Sequence, residues 1–295
     1  MSAADAKGRW LVVGARGMLG RDIDALLAER GYAYTALGRA ELDLTDAAAV
    51  KDAVAGYDVV ANAAAWTDVD GAETQEDAAN AINGEAVRTL ARACADSGAR
   101  LLHPSTDYVF PGDAVAPIAE DAPTAPINAY GRSKLLGEQA VLGLAPETGY
   151  VVRTAWLYGR HGKNFVATML KLAEQREFVE VVEDQQGQPT TTVALARQLL
   201  ALGGAALDGR APAGVYHGTC SGATTWFGLA RAAYELSGLD PERVRPITSD
   251  RFPRPAPRPA YSVLGHARWS AAGLEPMPQW RTALAEHLGT AASAV

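Results

Sequence analysis

The first half of the chain alternates short apolar runs with longer segments in which apolar residues recur every three or four positions. This alternation is typical of parallel strands that are joined by crossover helices. We place six strands, at Trp10–Val13, Tyr32–Leu37, Asp58–Asn62, Arg100–His103, Val151–Ala155 and Glu180–Val182. The predicted fold class is therefore α/β, with helices between the strands.

The pattern changes after about residue 160, where proline and arginine become frequent. Residues 245–264 read RPITSDRFPRPAPRPAYSVL and cannot form a regular helix, because proline fixes φ and lacks a backbone donor. The segment carries four arginines, and the presence of Phe252 and Tyr261 favours a binding loop over a disordered one. The final residues, 289–295, are predicted to form a disordered tail.

Composition and charge narrow the class of protein. The chain has 295 residues, 48% of them hydrophobic, which suffices for one large domain or two smaller domains that share a cleft. The net charge of -7 gives no long-range attraction to nucleic acid or an anionic membrane, so an anionic ligand must be held by local donors. Neither a signal peptide nor an apolar run of bilayer length is found in the sequence. We therefore expect a cytoplasmic protein.

Three glycines follow the first apolar run in WLVVGARGMLGRDIDALLAERG. Glycine permits a tight strand-to-helix turn and lets the backbone approach a pyrophosphate, whose charge the helix N-terminus stabilises. The spacing differs by one residue from G-x-G-x-x-G, but its place between a strand and a helix supports the same use, against an alternative in which the glycines only ease packing. The predicted dinucleotide turn comprises Gly14, Arg16, Gly17, Met18, Leu19 and Gly20.

Basic residues near this turn bear on which dinucleotide binds. Folds that prefer NAD usually offer an acid to the adenosine ribose at the end of the second strand, where this chain has Gly38 and Arg39. Arg39 and Arg16 would instead favour a 2′-phosphate, so we predict NADPH as the cofactor, with NADH as the alternative. Five further positions are assigned to the cofactor, beside the adenine and at the end of the third strand: Asp43, Leu44, Ala63, Ala64 and Ala65.

Two pairs of polar residues are candidates for a catalytic role. Ser105 and Thr106 end the fourth predicted strand, at the carboxyl edge where open α/β sheets bind ligands. Tyr130 and Lys134 follow in NAYGRSK, and their side chains lie on one face if this segment is helical. A Y-x-x-x-K match alone arises by chance at roughly 0.2 per sequence, so its context must decide between catalysis and a plain surface pair.

These motifs, in this order, resemble those of the extended short-chain dehydrogenase/reductases. Six segments narrow the resemblance to the dTDP-4-dehydrorhamnose reductase family: NAAAWTDVDGAE, STDYVFPGD, NAYGRSKLLGEQ, RTAWLYG, DQQGQPT and RPAYSVL. The resemblance implies a Rossmann-type doubly wound parallel sheet with a smaller C-terminal substrate-binding domain. Its expected dinucleotide-binding domain is residues 1–155, with a further strand and helix near 179–207, and its substrate-binding domain is residues 156–178 and 208–295.

The same resemblance implies roles for the site residues. Tyr130 gives a proton to a carbonyl oxygen as hydride arrives at carbon, Lys134 binds the nicotinamide ribose and lowers the pKa of the phenol, and Thr106 tunes the proton transfer. Residues 65–67, which are Ala65, Trp66 and Thr67, line the nicotinamide side, and Tyr130 and Lys134 also bind the cofactor. The expected substrate residues are Val69, Ser105, Thr106, Asp107, Tyr108, Trp156 and Arg258. Arg258 and Arg254 are the candidates for holding a diphosphate, and Arg258 is preferred because it lies in RPAYSVL.

A metal is not expected. The chain has 2 cysteines and 5 histidines, and the histidines show no ligand spacing. Some members of the family that the chain resembles bind a divalent cation between two subunits through acids, one of which follows Q-x-P-T, whereas this chain has Val193 there. We therefore expect a monomer, or a dimer that needs no metal.

The expected activity is the NADPH-dependent reduction of the C4 ketone of dTDP-4-dehydro-6-deoxy-L-mannose, which is dTDP-4-dehydrorhamnose. One alternative keeps this chemistry and changes the substrate to another dTDP-deoxysugar, for example of the dihydrostreptose type. Another alternative is a non-catalytic regulatory subunit with the same fold, like that of methionine adenosyltransferase. The presence of Thr106, Tyr130 and Lys134 argues against the regulatory subunit.

Overall fold

The structure is a computed structural model that describes residues 7–289. Its strands are β1 Arg9–Val13, β2 Ala33–Leu37, β3 Val59–Asn62, β4 Arg100–Thr106, β5 Gly149–Thr154, β6 Leu157–Tyr158, β7 Val179–Val182, β8 Gln186–Gly187, β9 Thr190–Thr191, β10 Gly214–His217, β11 Thr224–Thr225 and β12 Val244–Ile247. Its α-helices are α1 Met18–Glu29, α2 Ala47–Val54, α3 Val69–Ala72, α4 Glu76–Asn80, α5 Ala86–Ser97, α6 Ala129–Leu144, α7 Phe165–Ala173, α8 Thr192–Leu207, α9 Trp226–Leu236, α10 Ala267–Ala271 and α11 Trp280–Leu288. Beyond Gly289, the predicted disordered tail lies outside the described residues.

Six strands form one parallel sheet in the order β10-β5-β4-β3-β1-β2. β1 pairs with β2 on one side and with β3 on the other, so the strand order reverses at β1. Ligands of open α/β sheets bind outside the carboxyl ends of the strands at such a reversal. The α/β class and the Rossmann-type doubly wound sheet are thus confirmed, and the expected crevice lies beyond Val13 and Asn62.

One of the six predicted strands lies outside the large sheet. Residues 179–182 do form a strand, but they pair with β12 in a separate two-stranded sheet, where Val179 and Val244 pack against Tyr234 of α9. The sixth place in the large sheet belongs to β10, which pairs with β5 and which the sequence analysis did not identify. The pairing with β7 also makes residues 245–247 a strand, although we had predicted a loop there.

Helices cover both faces of the large sheet. On one face, α1 and α8 pack around Trp10 and Leu102, and the same buried cluster continues to Trp269 and Trp280 in the C-terminal helices. On the other face, α2, α5 and α6 pack around Leu101. The two expected domains therefore share a buried core, and their boundaries stay a prediction. Within residues 7–289, no helix has the length and apolar character needed to span a membrane.

The proline-rich segment after β12 packs against the body of the protein. The side-chain amide of Asn128, which caps α6, donates to the carbonyl oxygen of Pro257 at 3.0 Å. The backbone N–H of Tyr261 donates to the carbonyl oxygen of Gly112, also at 3.0 Å. A Cβ atom at Gly112 would lie 2.4 Å from the Cβ of Pro259, so glycine is what permits this close approach. These contacts hold the segment at the N-terminus of α6.

Candidate active site

In the turn between β1 and α1, the backbone packs directly against other backbone segments. Gly14 has a φ of 75°, and a Cβ atom there would lie 2.4 Å from the backbone nitrogen of Ala64. A Cβ atom at Gly20 would lie 2.3 Å from the carbonyl oxygen of Gly14, so only glycine fits either position. α1 begins at Met18 without a side-chain cap and without an acid in its first turn. Its N–H groups and its dipole therefore remain available to a pyrophosphate.

A cavity of about 420 Å³ lies at this turn, where the strand order of the sheet reverses. Nine predicted cofactor residues line it: Gly14, Arg16, Gly17, Arg39, Asp43, Leu44, Ala63, Ala64 and Ala65. Trp66, expected on the nicotinamide side, lines the cavity as well, and five lining residues were not predicted: Val13, Gly38, Leu42, Thr45 and Ile82. Most of these are sequence neighbours of predicted residues, whereas Ile82 comes from a π-helical turn at Ala81–Glu85 that carried no signal.

Six other residues assigned to the cofactor do not line the cavity, and two of them, Tyr130 and Lys134, lie on α6. Met18 and Gly20 belong to the first turn of α1, and Thr67 is exposed just beyond Trp66. The side chain of Leu19 is buried in the hydrophobic core, so only its backbone could face a ligand. Their assignment to the cofactor therefore stays a prediction.

Helix α6 carries the predicted acid and its lysine. The side chain of Asn128 caps the helix by accepting a hydrogen bond from the backbone of Gly131 at 2.8 Å. Tyr130 and Lys134 therefore lie one turn apart on one helix face, as the spacing predicted. Lys134 is buried, and its Nζ donates to the carbonyl oxygen of Pro104 in β4 at 2.8 Å. This hydrogen bond connects α6 to β4, the strand that ends with Ser105 and Thr106.

The end of β4 lies beside the start of α6. Thr106 Oγ1 donates to the carboxylate of Asp107 at 3.0 Å and accepts from the backbone N–H of Tyr108. The ring of Tyr108 meets that of Tyr130 edge to face, with centroids 5.9 Å apart. The guanidinium of Arg258 lies 5.9 Å from the centroid of the Tyr108 ring. Residues that are far apart in sequence are thus brought together around the phenol of Tyr130.

The environment of Tyr130 keeps its phenol protonated. Burial raises the pKa of Tyr130, the negative charge of Asp107 raises it further, and a hydrogen bond with Thr106 offsets part of this rise. The pKa of Tyr130 is therefore raised on balance in this structure, and a lowering effect of Lys134 on it stays a prediction. Burial instead lowers the pKa of Lys134 to about 8, and raises that of Asp107 to about 6.

A buried ion pair lies one turn further along α6. Arg153 of β5 donates to both carboxylate oxygens of Glu138, and its shortest bond, from Nη2 to Oε2, is 2.7 Å. The negative charge of Glu138 raises the pKa of Lys134 and so opposes the effect of burial. The sequence analysis missed this pair, although Glu138 follows Lys134 by four residues on the same helix face, which was the available signal.

Two arginines of the proline-rich segment bind one carboxylate. Asp70 of α3 accepts from Nε of Arg254 at 2.9 Å, from Nη2 of Arg258 at 3.0 Å and from the backbone N–H of Ala256 at 3.3 Å. The side chain of Arg258 is only 15% exposed, against 47% for Arg254. Asp70 neighbours the predicted substrate residue Val69. The sequence analysis did not identify Asp70, because its partners lie far away in the chain.

The other expected substrate residues are placed at strand ends. Ser105 is buried, and its hydroxyl has no hydrogen-bond partner within the described part of the chain. Trp156 follows β5 with a φ of 48°, an unusual value for a residue with a side chain. Its indole stacks on that of Trp226, with ring centroids 3.7 Å apart and planes at 10°. A Cβ atom at Gly187 would lie 2.6 Å from the Trp156 ring, so the indole is held tightly.

The residues of this site are suited to the transfer of a hydride and a proton to a carbonyl group. The cavity at the glycine turn suits a dinucleotide, and the phenol, ammonium and hydroxyl beside it suit a carbonyl substrate. This combination defines a dinucleotide-dependent oxidoreductase of the short-chain dehydrogenase/reductase class. The family model described as the RmlD substrate binding domain matches residues 8–293, and the chain belongs to that family. Within residues 7–289, no group of three or more His, Cys, Asp or Glu side chains could hold a metal ion.

Known relatives are similar to this chain over almost its whole length. A dTDP-4-dehydrorhamnose reductase of Streptomyces griseus is 58% identical over 280 residues, which are 94% of this chain and 92% of that protein. A dTDP-4-keto-6-deoxy-D-glucose reductase of Streptomyces niveus is 51% identical, covering 94% of this chain and 96% of that one. The structure of a dTDP-4-dehydrorhamnose reductase of Bacillus anthracis in complex with NADP is 35% identical, with a TM-score of 0.89, and covers 95% and 98% of the two chains. The resemblance read from the six sequence segments is thereby confirmed.

Proposed function

We propose that the protein reduces the C4 ketone of dTDP-4-dehydrorhamnose to the hydroxyl of dTDP-L-rhamnose with NADPH. The observation that carries this proposal is the position of Tyr130 and Lys134 on α6 and of Thr106 at the end of β4. β4 pairs with β3, and the residues that follow β3 line the cavity at the strand reversal. The Streptomyces griseus relative, at 58% identity, bears the name of this activity, and the Bacillus anthracis neighbour was solved with NADP.

The residues of the cavity fit a dinucleotide. The uncapped N-terminus of α1, reached over Gly14 and Gly17, would hold the pyrophosphate. Arg16 and Arg39 would face the adenosine side, and the small side chains that follow β3 would leave space for the nicotinamide. When bound, NADPH supplies the hydride that reduces the ketone.

The proton comes from this chain. The pKa of Tyr130 is raised, so its phenol carries the proton at neutral pH and can give it to the developing alkoxide. Thr106, whose hydrogen bond lowers the pKa of Tyr130, would assist the loss of that proton. The buried ammonium of Lys134 would stabilise the phenolate that remains, and would bind the nicotinamide ribose.

The substrate is an anion, and the protein carries a net charge of -7. Local cations must therefore hold its diphosphate, and we assign this role to Arg258, which the contacts of Asp70 and Ala256 hold in a fixed position. We assign the deoxysugar to Val69, Ser105, Asp107, Tyr108 and Trp156.

The test is NADPH oxidation by the purified protein, followed by the loss of the absorbance of reduced nicotinamide, with a panel of dTDP-4-ketosugars. The proposal expects the highest kcat/KM with dTDP-4-dehydrorhamnose. The Streptomyces niveus relative supports a second candidate, the reduction of dTDP-4-keto-6-deoxy-D-glucose, and a higher kcat/KM with that sugar would establish it instead. If NADPH were bound but not oxidised with any ketosugar, a non-catalytic subunit would be the better interpretation.

The proposed function comes with a proposed oligomeric state. We infer a monomer or a dimer that needs no metal, because Val193 stands where an acid would be required for a shared cation. We propose neither a nucleic-acid partner nor binding to a membrane, and the cytoplasmic location stays a prediction. Sedimentation with magnesium and with a chelator should give one mass, and a dimer that dissociates on chelation would contradict this assignment.

A further inference from the structure

An acid that the sequence analysis overlooked lies beside the end of β2. Glu41 follows Gly38 by three residues and folds back onto it, so that its Oε2 accepts from the backbone N–H of Gly38 at 2.8 Å. Its Oε1 accepts from Nη2 of Arg16 in the glycine turn at 3.1 Å. These hydrogen bonds, the one from Arg16 first, hold the pKa of Glu41 below its ordinary value, so the carboxylate is ionised at neutral pH.

Both partners of Glu41 line the dinucleotide cavity. If the pyrophosphate binds at the N-terminus of α1, the adenosine lies toward the end of β2, where Arg16, Gly38 and Arg39 are found. The packing here is close, because a Cβ atom at Gly38 would lie 2.6 Å from Cγ of Arg16 and 2.9 Å from Oε2 of Glu41. The adenosine side is therefore built from two cations, Arg16 and Arg39, and two anions, Glu41 and Asp43.

Glu41 and a 2′-phosphate would compete for the same donors. The carboxylate already uses the guanidinium of Arg16 and the N–H of Gly38, and a phosphate dianion nearby would also be repelled by its charge. A ribose 2′-hydroxyl, in contrast, can donate to a carboxylate, as it does in folds that prefer NAD. Arg39 is exposed and forms no salt bridge within residues 7–289, and although its charge interacts with that of Asp43, its guanidinium can still reach the phosphate.

We propose that Glu41 is a specificity-determining residue that limits the preference of this protein for NADPH over NADH. In this arrangement Arg39 attracts the 2′-phosphate, while Glu41 weakens the contribution of Arg16 and favours the unphosphorylated ribose. The proposal rests on the nicotinamide cofactor of the proposed function but is independent of the sugar substrate.

The experiment measures equilibrium binding of NADP and NAD by titration calorimetry, so it does not depend on turnover. In Glu41→Gln, which keeps the size of the side chain and removes its charge, the ratio of the NAD Kd to the NADP Kd should rise about five- to tenfold over wild type. Arg39→Ala should shift the same ratio in the opposite direction. The matched control is Glu235→Gln, which removes an exposed carboxylate that is paired with Arg281 in the C-terminal helices, and it should leave the ratio unchanged.

Each further outcome decides the proposal. An unchanged ratio in Glu41→Gln would mean that Glu41 only supports the turn, and a lower ratio would mean that it orients Arg16 toward the phosphate; either would overturn the proposal. In an Arg16→Gln background, the effect of Glu41→Gln should shrink, because the two side chains act on the same phosphate. If wild-type protein bound neither dinucleotide, the cofactor of the proposed function would fail as well, and this result differs from an unchanged ratio.

Discussion

The parts of the site that we assign to the cofactor and to the sugar are built in different ways. The proposed cofactor side consists mostly of short segments that follow β1, β2 and β3, and six of its fifteen lining residues are glycine or alanine. The sugar side collects residues from α3, β4, α6 and the proline-rich segment. Asp70 and Arg258, which are in direct contact, are 188 residues apart in the chain.

The two halves of the site are held in position by different kinds of contact. On the cofactor side, glycine allows the backbone to reach positions that any Cβ atom would block, so the geometry is fixed by the turn itself. On the sugar side, the position of Arg258 depends on long-range contacts, which are its own bond to Asp70 and the bond from Asn128 to Pro257. We therefore expect mutations on the sugar side to alter the sugar kinetics while leaving dinucleotide binding intact.

The largest effect is expected from removal of the acid, which serves both halves. Tyr130→Phe should lower kcat by about 10²–10⁴-fold, because the phenol proton is lost while the edge-to-face ring contact with Tyr108 is kept. NADP affinity and Tm should stay close to wild type. Tyr57→Phe is the control, since that phenol donates to Thr35 and forms no hydrogen bond with a residue assigned to the site within residues 7–289, and it should change kcat little. Activity of Tyr130→Phe within threefold of wild type would refute the assignment.

The next largest effect concerns the indole that is assigned to the sugar. Trp156→Ala should lower kcat by about 100-fold, because loosening the sugar by about 1 Å displaces it from the hydride donor. The control is Trp226→Ala, which removes the same aromatic stack from the other side and should cost less in kcat. Equal losses of kcat in the two variants, with equal losses of Tm, would show that the stack only stabilises the fold.

A smaller effect, confined to substrate binding, is expected at the diphosphate. Arg258→Ala should raise the KM for the dTDP-ketosugar by about 10- to 100-fold, because charged hydrogen bonds are lost, and should leave the KM for NADPH unchanged. Arg254→Ala should have a weaker effect, since its side chain is more exposed. Asp70→Asn should raise the KM in the same direction by loosening Arg258. A wild-type ketosugar KM in Arg258→Ala would remove the proline-rich segment from the substrate site.

The smallest effect near neutral pH comes from the titration of Lys134. Burial lowers its pKa to about 8, so the ammonium is present below that value and is lost as the pH rises through it. The kcat/KM for NADPH, which reports the free enzyme, should therefore fall above about pH 8. Lys134→Arg keeps the charge at every accessible pH, so its profile should lack this basic limb even if its rate is lower. A limb at the same pH in both proteins would assign the titration to another group.

Much of the fold and the cofactor side could be predicted, because periodicity and glycine spacing are local signals. The first five strands of the large sheet were found within a few residues, and nine predicted cofactor residues, together with Trp66, line the cavity. β10 was missed and β7 was assigned to the wrong sheet, since strand pairing is decided by contacts between distant segments. Glu41 was missed for a related reason, because only the fold brings it to Arg16, which is 25 residues away in the chain.

The sequence by itself determined the α/β class, the dinucleotide turn, the pairing of Tyr130 with Lys134 on one helix face, and the family. Those features follow from spacings of a few residues, which backbone geometry converts directly into neighbouring positions. Only the tertiary structure decided that burial and Asp107 raise the pKa of Tyr130, and that Asp70 holds both arginines. Desolvation and ion pairing depend on which distant groups pack together, and this packing is a property of the folded chain.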